Sequence, residues 1–376
     1  MLKLLKNLTI LRDGKPAAAE ILVADRRIAA VGPRIGLSWE GLETIDCGGM
    51  TAIPGYLDQH VHVTGGGGEG GFSNQVPPLR IADAIAGGVT TIVGLLGTDG
   101  TSRSVENLLA KTKGLREEGL TAYCLTGSYD YPSPTITGSV RKDIMLFEEI
   151  IGVKIAHSDH RSSGITRAEM IRLACEARNG GLLSGKPGVV HIHMGSGKDG
   201  LNMIMDIVRT TDIPVTVFRP THLGRHLEQA VEFAQMGGYI DFTAGTEPAR
   251  TAKIVAEALR RAPEGFVTLS SDGNGSMPVW NDKKEMIGIS AGRITADHDV
   301  VRALVQHEGL PLSQAVSVLT ANVARALGLW PRKGTLAAGS DADLLLLDDQ
   351  LNIRMVMAGG RVLARDGALT FRPKFS

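Results

Sequence analysis

Two histidines one residue apart, His60 and His62, close the apolar run GYLDQHVH. With Asp58 they fall on one face of a strand, because strand side chains alternate with period two. Other groups able to bind or activate stand where later apolar runs end: Lys154 in GVKIA, His193 in HIHMGSG, His222 in PTHLGR and Asp272 in SSDGNGS. Four imidazoles and a carboxylate make a donor set for zinc or a similar borderline cation. A protonated lysine cannot join that set, and a bare ammonium inside an apolar strand is costly to bury. Its carbamate, formed with CO2, is instead an anionic oxygen ligand able to bridge two cations ~3.5–4 Å apart. Two divalent ions set against one carbamate, one aspartate and one hydroxide leave a single positive charge, which suits polarisation of a carbonyl. His191 shares a face with His193, so one of the two can be purely structural. His157, His160, His226, His298 and His307 read as structural or surface groups.

Loops after the same runs add polar groups. Six glycines occupy the seven positions Gly65–Gly71, broken only by Glu69. Thr98 follows the second run in GTDG, Tyr129 the third in GSYDYPS, and Arg161 the fourth. Loops that pair unhindered backbone with charged side chains commonly bind ligands.

Such groups need a frame that gathers strand ends. Eight strand-like runs occur: GYLDQHVH, TTIVGLL, TAYCLTG, IIGVKIA, GVVHIHM, IPVTVFR, YIDFTAG and FVTLSSD. Helical patterns such as RSVENLLAKTKGLREEG, TRAEMIRLACEARNGG, GRHLEQAVEFAQMGG and EPARTAKIVAEALRRA fall between them. Eight such units match an α/β fold of (β/α)8 TIM-barrel type, whose functional groups collect at the C-terminal ends of the strands. An open doubly wound sheet would want a phosphate loop, and none is written here. Both chain ends read as short strands, so residues 1–52 and 332–376 are expected to form one small β-sandwich-like domain beside a catalytic barrel over 53–331.

Composition narrows the class. The 376 residues are 43% hydrophobic and 21% charged, as in a globular protein. Forty basic residues balance forty acidic ones, so no global field draws nucleic acid or an anionic membrane. Cys47, Cys124 and Cys175 have no metal-site spacing and read as reduced thiols. The opening MLKLLKNLTILRDGK lacks a signal-peptide pattern, and no run of about 18 apolar residues occurs. A cytoplasmic protein is expected.

The D-Q-H-V-H motif, the fourth-strand lysine, single histidines after strands five and six and the eighth-strand aspartate resemble the amidohydrolase superfamily. So does the tail TANVARALGL…KGTLAAGSDADLLLLD. The segments GGGGEGGF, GTDG, YPSPTITGS and PTHLGR narrow the resemblance, over essentially the whole chain, to its isoaspartyl (β-aspartyl) dipeptidases. That resemblance implies two Zn2+ per subunit, bridged by carboxylated Lys154 and a hydroxide. His60, His62, Lys154 and Asp272 would hold the first ion, and His193, His222 and Lys154 the second. It implies that the hydroxide attacks the amide carbonyl, that Asp272 moves its proton to the leaving amine, and that Tyr129 donates to the oxyanion. The substrate would be a β-aspartyl dipeptide. Glu69, with Gly67 and Thr98, would hold its ammonium, while Arg161 and Arg225, helped by Ser276, would hold its carboxylates. Members of the family form octamers, so a homo-oligomer is implied. A dihydroorotase- or dihydropyrimidinase-like cyclic amidohydrolase would share the metal cluster but has less use for Glu69. A metal-free scaffold protein on the same fold typically loses ligands, and none is missing here.

Overall fold

Eight short apolar runs, too hydrophobic to face water on either side, pair in parallel and are covered by helices. This is seen in a computed structural model that describes residues 1–280 and 286–374. Strands Tyr56–Val61, Val89–Gly94, Thr121–Gly127, Ile150–His157, Val189–Met194 and Phe218–Thr221 form one parallel sheet in chain order. Ile240–Thr243 and Val267–Ser270 pair with each other. The circle closes at the end of the eighth strand, where His62 N–H donates to the Gly273 carbonyl at 2.8 Å and Val61 bridges Gly273. Between the sixth and seventh strands a side chain makes the link, Thr221 Oγ1 donating to Asp241 Oδ2 at 2.6 Å. The helices that follow strands two, four and seven span Val105–Glu118, Arg167–Ser184 and Pro248–Arg261, where the sequence pattern puts them.

One strand starts later than expected. The run IPVTVFR suggests a strand from Ile213, but Val215–Val217 is a single 3-10 turn and the strand begins at Phe218. Pro214 has no N–H to give to a ladder, and its carbonyl instead accepts from Val217 N at 3.0 Å. The four-residue strand that remains ends at Thr221, directly before His222.

Both chain ends join in a nine-stranded sheet. Thr51–Pro54 is the junction, running parallel to Leu2–Arg12 and antiparallel to Leu344–Leu347. Leu5, Ile21, Val23, Ile28, Leu344 and Met357 belong to an apolar cluster of this sheet, separate from the one that fills the barrel layers. Gly55 then leads straight into the first barrel strand, Tyr56–Val61, which runs on to His60 and His62 at its far end.

Candidate active site

The strand ends bring the expected ligands into one buried cluster. Nε2 of His60 lies 3.3 Å, and Nε2 of His62 3.1 Å, from Asp272 Oδ1. Lys154 Nζ is 3.3 Å from His60 Nε2 and fully buried. His222 completes a group with His60 and Asp272 whose ligating atoms lie within 4.8 Å of one another. Its ring centroid is 4.5 Å from that of His193. Two of these residues sit in the left-handed region, His222 at φ 65° and Asp272 at φ 53°. Such backbone is unusual outside glycine and is adopted here just past the ends of the sixth and eighth strands.

Three imidazoles, those of His60, His222 and His193, are oriented from behind, while His62 Nδ1 has no partner among the described residues. His60 Nδ1 meets His191 Nε2 at 2.8 Å, and His222 Nδ1 meets Thr243 Oγ1 at 2.6 Å. His193 Nε2 meets Asp159 Oδ2 at 3.0 Å, which leaves Nδ1 to accept from the Tyr129 hydroxyl at 2.6 Å. With the outward nitrogen carrying the proton, His60 and His222 direct their Nε2 lone pairs into the cluster, and the His193 Nδ1 lone pair faces the Tyr129 hydroxyl. Burial, reinforced by the Lys154 charge, holds His60 well below the ordinary imidazole value and lowers His193 to about 4. Burial and neighbouring histidines also push His222 well down. The rings are therefore neutral at pH 7, the form that binds metal. Burial pulls Asp272 upward, but the contacts from His60 and His62 outweigh it and hold the carboxyl well below its usual range.

These donors fit a cation. His222 Nε2 and Asp272 Oδ1 are buried and have no hydrogen-bond partner, and an isolated buried acceptor carries a desolvation cost that a bound ion removes. Neutral imidazoles, an ionised carboxylate and a buried lysine converge on one place.

Above the cluster opens a cavity of about 690 Å³ lined by Glu69, Asp159, Arg161, His193, His222, Arg225, Asp272 and Ser276. Gly67 and Thr98 line an adjoining one that shares Glu69. Glu69 Oε1 accepts from Thr98 Oγ1 at 2.9 Å, from Arg161 Nη1 at 3.0 Å and from Ser276 Oγ at 3.2 Å, while its buried Oε2 has no partner. Of the residues expected on the substrate side, Gly67, Glu69, Thr98, Arg161, Arg225 and Ser276 line these two cavities, and Tyr129 stands behind them on His193. The pairing of Glu69 with Arg161, residues assigned opposite substrate charges, is visible only in the fold. Positive φ values of 83° and 82° at Gly65 and Gly67 carry the loop back over its own return segment. A Cβ at either position would collide with the carbonyl oxygen of Val76 or Asn74. Close self-crossing is one reason for the glycines.

Two residues of the site, Thr243 behind His222 and Asp159 behind His193, were not singled out by sequence, and His191 behind His60 was read there only as the partner of His193 on one face. For His191 the H-x-H spacing was a signal. For Asp159 and Thr243 the only signal was a polar residue near a strand end. Asp58, placed by period two on the face of His60, lies one layer down, accepting from His60 N at 3.1 Å and Ser271 N at 3.3 Å.

Comparison with known proteins agrees with this geometry. Residues 51–363 match the amidohydrolase family. Over its whole length the chain is similar to a solved β-aspartyl dipeptidase from thermophilic, keratin-degrading Fervidobacterium islandicum AW-1, in complex with the β-Asp-Leu dipeptide. Identity is 40% and the TM-score 0.93, covering 100% of this chain and 99% of that one. A dihydropyrimidinase from Brevibacillus agri NCHU1002 shares the fold, with 17% identity and a TM-score of 0.68 over 98% of this chain and 96% of the other. Among curated relatives, the chain is 24% identical over 379 residues to an adenine deaminase of Bacillus velezensis. That match covers 96% of this chain but only 58% of the deaminase.

Proposed function

The chain belongs to the amidohydrolase family, and from that premise we infer that it is a metal-dependent β-aspartyl dipeptidase, hydrolysing the side-chain amide of a β-aspartyl dipeptide to aspartate and an amino acid. The observation that carries this reading is a carboxylate–guanidinium pair, Glu69 and Arg161, 3.0 Å apart at the mouth of a buried His/Lys/Asp cluster. A dipeptide with one free ammonium and two carboxylates needs both signs of charge beside the reacting centre. A cyclic amide does not.

Two zinc ions held by His60, His62, Asp272, His193 and His222, with carboxylated Lys154 between them, would polarise the scissile carbonyl and make the attacking water acidic. The remaining steps belong to the chain's own groups. Asp272, kept ionised, takes the proton of the attacking water and passes it to the leaving amine. The Tyr129 hydroxyl, already aimed at the cluster, donates to the carbonyl oxygen as it gains charge. The substrate ammonium takes Glu69, whose Oε2 is unpartnered, with Thr98 and the Gly67 backbone beside it. The carboxylates take Arg161 and Arg225, with Ser276 assisting.

The nine-stranded sheet, with its separate apolar cluster, supports a small domain of residues 1–52 and 332–376 beside a barrel of 53–331. The same reading carries a homo-octamer and a cytoplasmic location. Among the described residues no helix is long and apolar enough to cross a membrane.

Selectivity tests the assignment. An α-aspartyl dipeptide carries the same charges, but docking them displaces its scissile carbonyl from the attacking water. Purified enzyme with zinc should cleave β-Asp-Leu and leave α-Asp-Leu and dihydroorotate intact. Equal rates on the two aspartyl isomers would overturn the reading.

A further inference from the structure

Asp159 is buried between the two halves of the site, its side chain 6% exposed. Oδ1 accepts from the Arg161 backbone N–H at 2.8 Å and from Arg161 Nε at 3.0 Å. Oδ2 accepts from Arg161 Nη2 at 2.9 Å and from His193 Nε2 at 3.0 Å. Four donors fill the carboxylate's acceptor sites. Arg161 Nη2 and His193 Nε2 approach within 3.2 Å of each other because both donate to the same oxygen. On one side, the bond keeps the His193 proton on Nε2 and leaves Nδ1 as the acceptor, which here takes the Tyr129 hydroxyl beside the cluster. On the other, it engages the side-on edge of the guanidinium and leaves Nη1 pointing at Glu69 and the cavity.

We propose that Asp159 is a positioning residue for both the metal centre and the substrate, one carboxylate that sets the ring of His193 and the plane of Arg161 together. When a substrate ammonium takes Glu69 away from Arg161, Asp159 is what keeps the guanidinium in place for a carboxylate. Without Asp159 the His193 proton is free to sit on Nδ1, where it blocks the ligand position, and Arg161 is free to close fully on Glu69. A carboxylate behind a ligating histidine raises its basicity and fixes its tautomer. Here the same group also reaches a substrate-binding arginine, so loss of one contact disturbs both functions.

The proposal rests on His193 as a ligand and Arg161 as a substrate contact, and the experiment separates the two levels. Zinc affinity is measured by competition with a chromophoric chelator, KM and kcat on β-Asp-Leu, and stability by thermal unfolding of the metal-free protein. These are compared for wild type, Asp159→Asn and Arg161→Met. Asp159→Asn should weaken zinc binding and raise KM, each by roughly 10–100-fold, with metal-free stability little changed. Arg161→Met should raise KM while leaving zinc affinity within about twofold, since it spares the His193 bond. An Asp159→Asn protein that shifts only one of the two quantities, or only its unfolding temperature, overturns the proposal. Asp159→Ser gives the same comparison if the asparagine variant does not accumulate. Failure of both to fold assigns Asp159 a structural role and also overturns it. Wild-type protein that binds no zinc, or leaves β-Asp-Leu intact, defeats the dipeptidase reading itself before Asp159 is at issue.

Discussion

Lys154 reaches the floor of the cluster with no exposure to solvent, and burial lowers its ammonium from the ordinary lysine value to about 7. At neutral pH a large fraction is therefore the free amine, the form that adds to CO2 with loss of a proton to give a carbamate. Lys154→Ala should lose most bound metal and activity, and a short carboxylic acid small enough to occupy the space should restore part of both. Metal analysis and turnover with and without added acid check this, and an alanine variant with two metals and full turnover would remove the bridging role. Asp272 is tested differently, because asparagine can still reach a cation but cannot carry the proton. Asp272→Asn should lower kcat at least about 10²-fold, the lower end of general acid–base effects, with less change in KM. Near-normal turnover would reduce Asp272 to the residue of a tight turn.

Strand ends impose their own packing limits on the ligands they carry. Gly97 follows the second strand, and a Cβ there would lie 2.9 Å from His62 Cε1 and 3.3 Å from its Nδ1. The ring has little room to yield, since the His62 backbone N–H is tied to the Gly273 carbonyl and the ring Nε2 faces Asp272. Gly97→Ala should displace the imidazole by a few tenths of an ångström and lower both zinc content and kcat by about tenfold or more, as small misplacements of reacting groups do. Gly114→Ala is the matching control. It lies on helix Val105–Glu118 where an added Cβ meets nothing within 4 Å, so it should leave metal and kcat unchanged. Equal behaviour of the two variants would dissociate Gly97 from the seating of His62.

Beneath the cluster the barrel interior is unusually acidic for buried space. Asp241 accepts from Gln59 and Thr268 at 2.7 Å and from Thr221 and Ser270 at 2.6 Å, drawing strands one, six, seven and eight together. Asp297 is fully buried near Asp58, and neither of its oxygens has a hydrogen-bond partner. Burial first, then the charges of Asp58 and Asp241, raise the Asp297 carboxyl well above its ordinary value. A proton held between the two aspartates relieves both the repulsion and the missing donor. Because the folded-state value is raised, this contribution to stability is fully present below about pH 4 and is lost as pH rises through the folded value. Asp297→Asn keeps the shape and supplies an N–H to Asp58 without needing a bound proton. Its melting temperature relative to wild type should therefore climb as pH rises above about 4, the ordinary carboxylate value. A difference constant with pH would mean that Asp297 does not hold the extra proton.

The residues of the buried cluster were legible in the sequence because a polar group at the end of an apolar run stands out against the burial that the run demands. His60, His62, Lys154, His193, His222 and Asp272 all stood in such places. The eight strand–helix repeats were legible for the same reason, since period and apolarity report burial directly. The sixth strand was misjudged at its start because Pro214 exchanges a ladder for a turn, a choice that depends on where the neighbouring strand lies. What each ligand leans on was not legible. His60 finds His191 at a separation of 131 residues, Arg161 finds Glu69 at 92, and Tyr129 finds His193 at 64. Lateral spacing between strand ends decides such contacts, and it is set only when the ring closes at Gly273. Hydrophobic periodicity records which face of an element is buried and carries no information about which neighbour that face will meet. Residue type and strand position therefore named the chemistry, while tertiary closure decided which nitrogen each imidazole presents and which carboxylate holds Arg161.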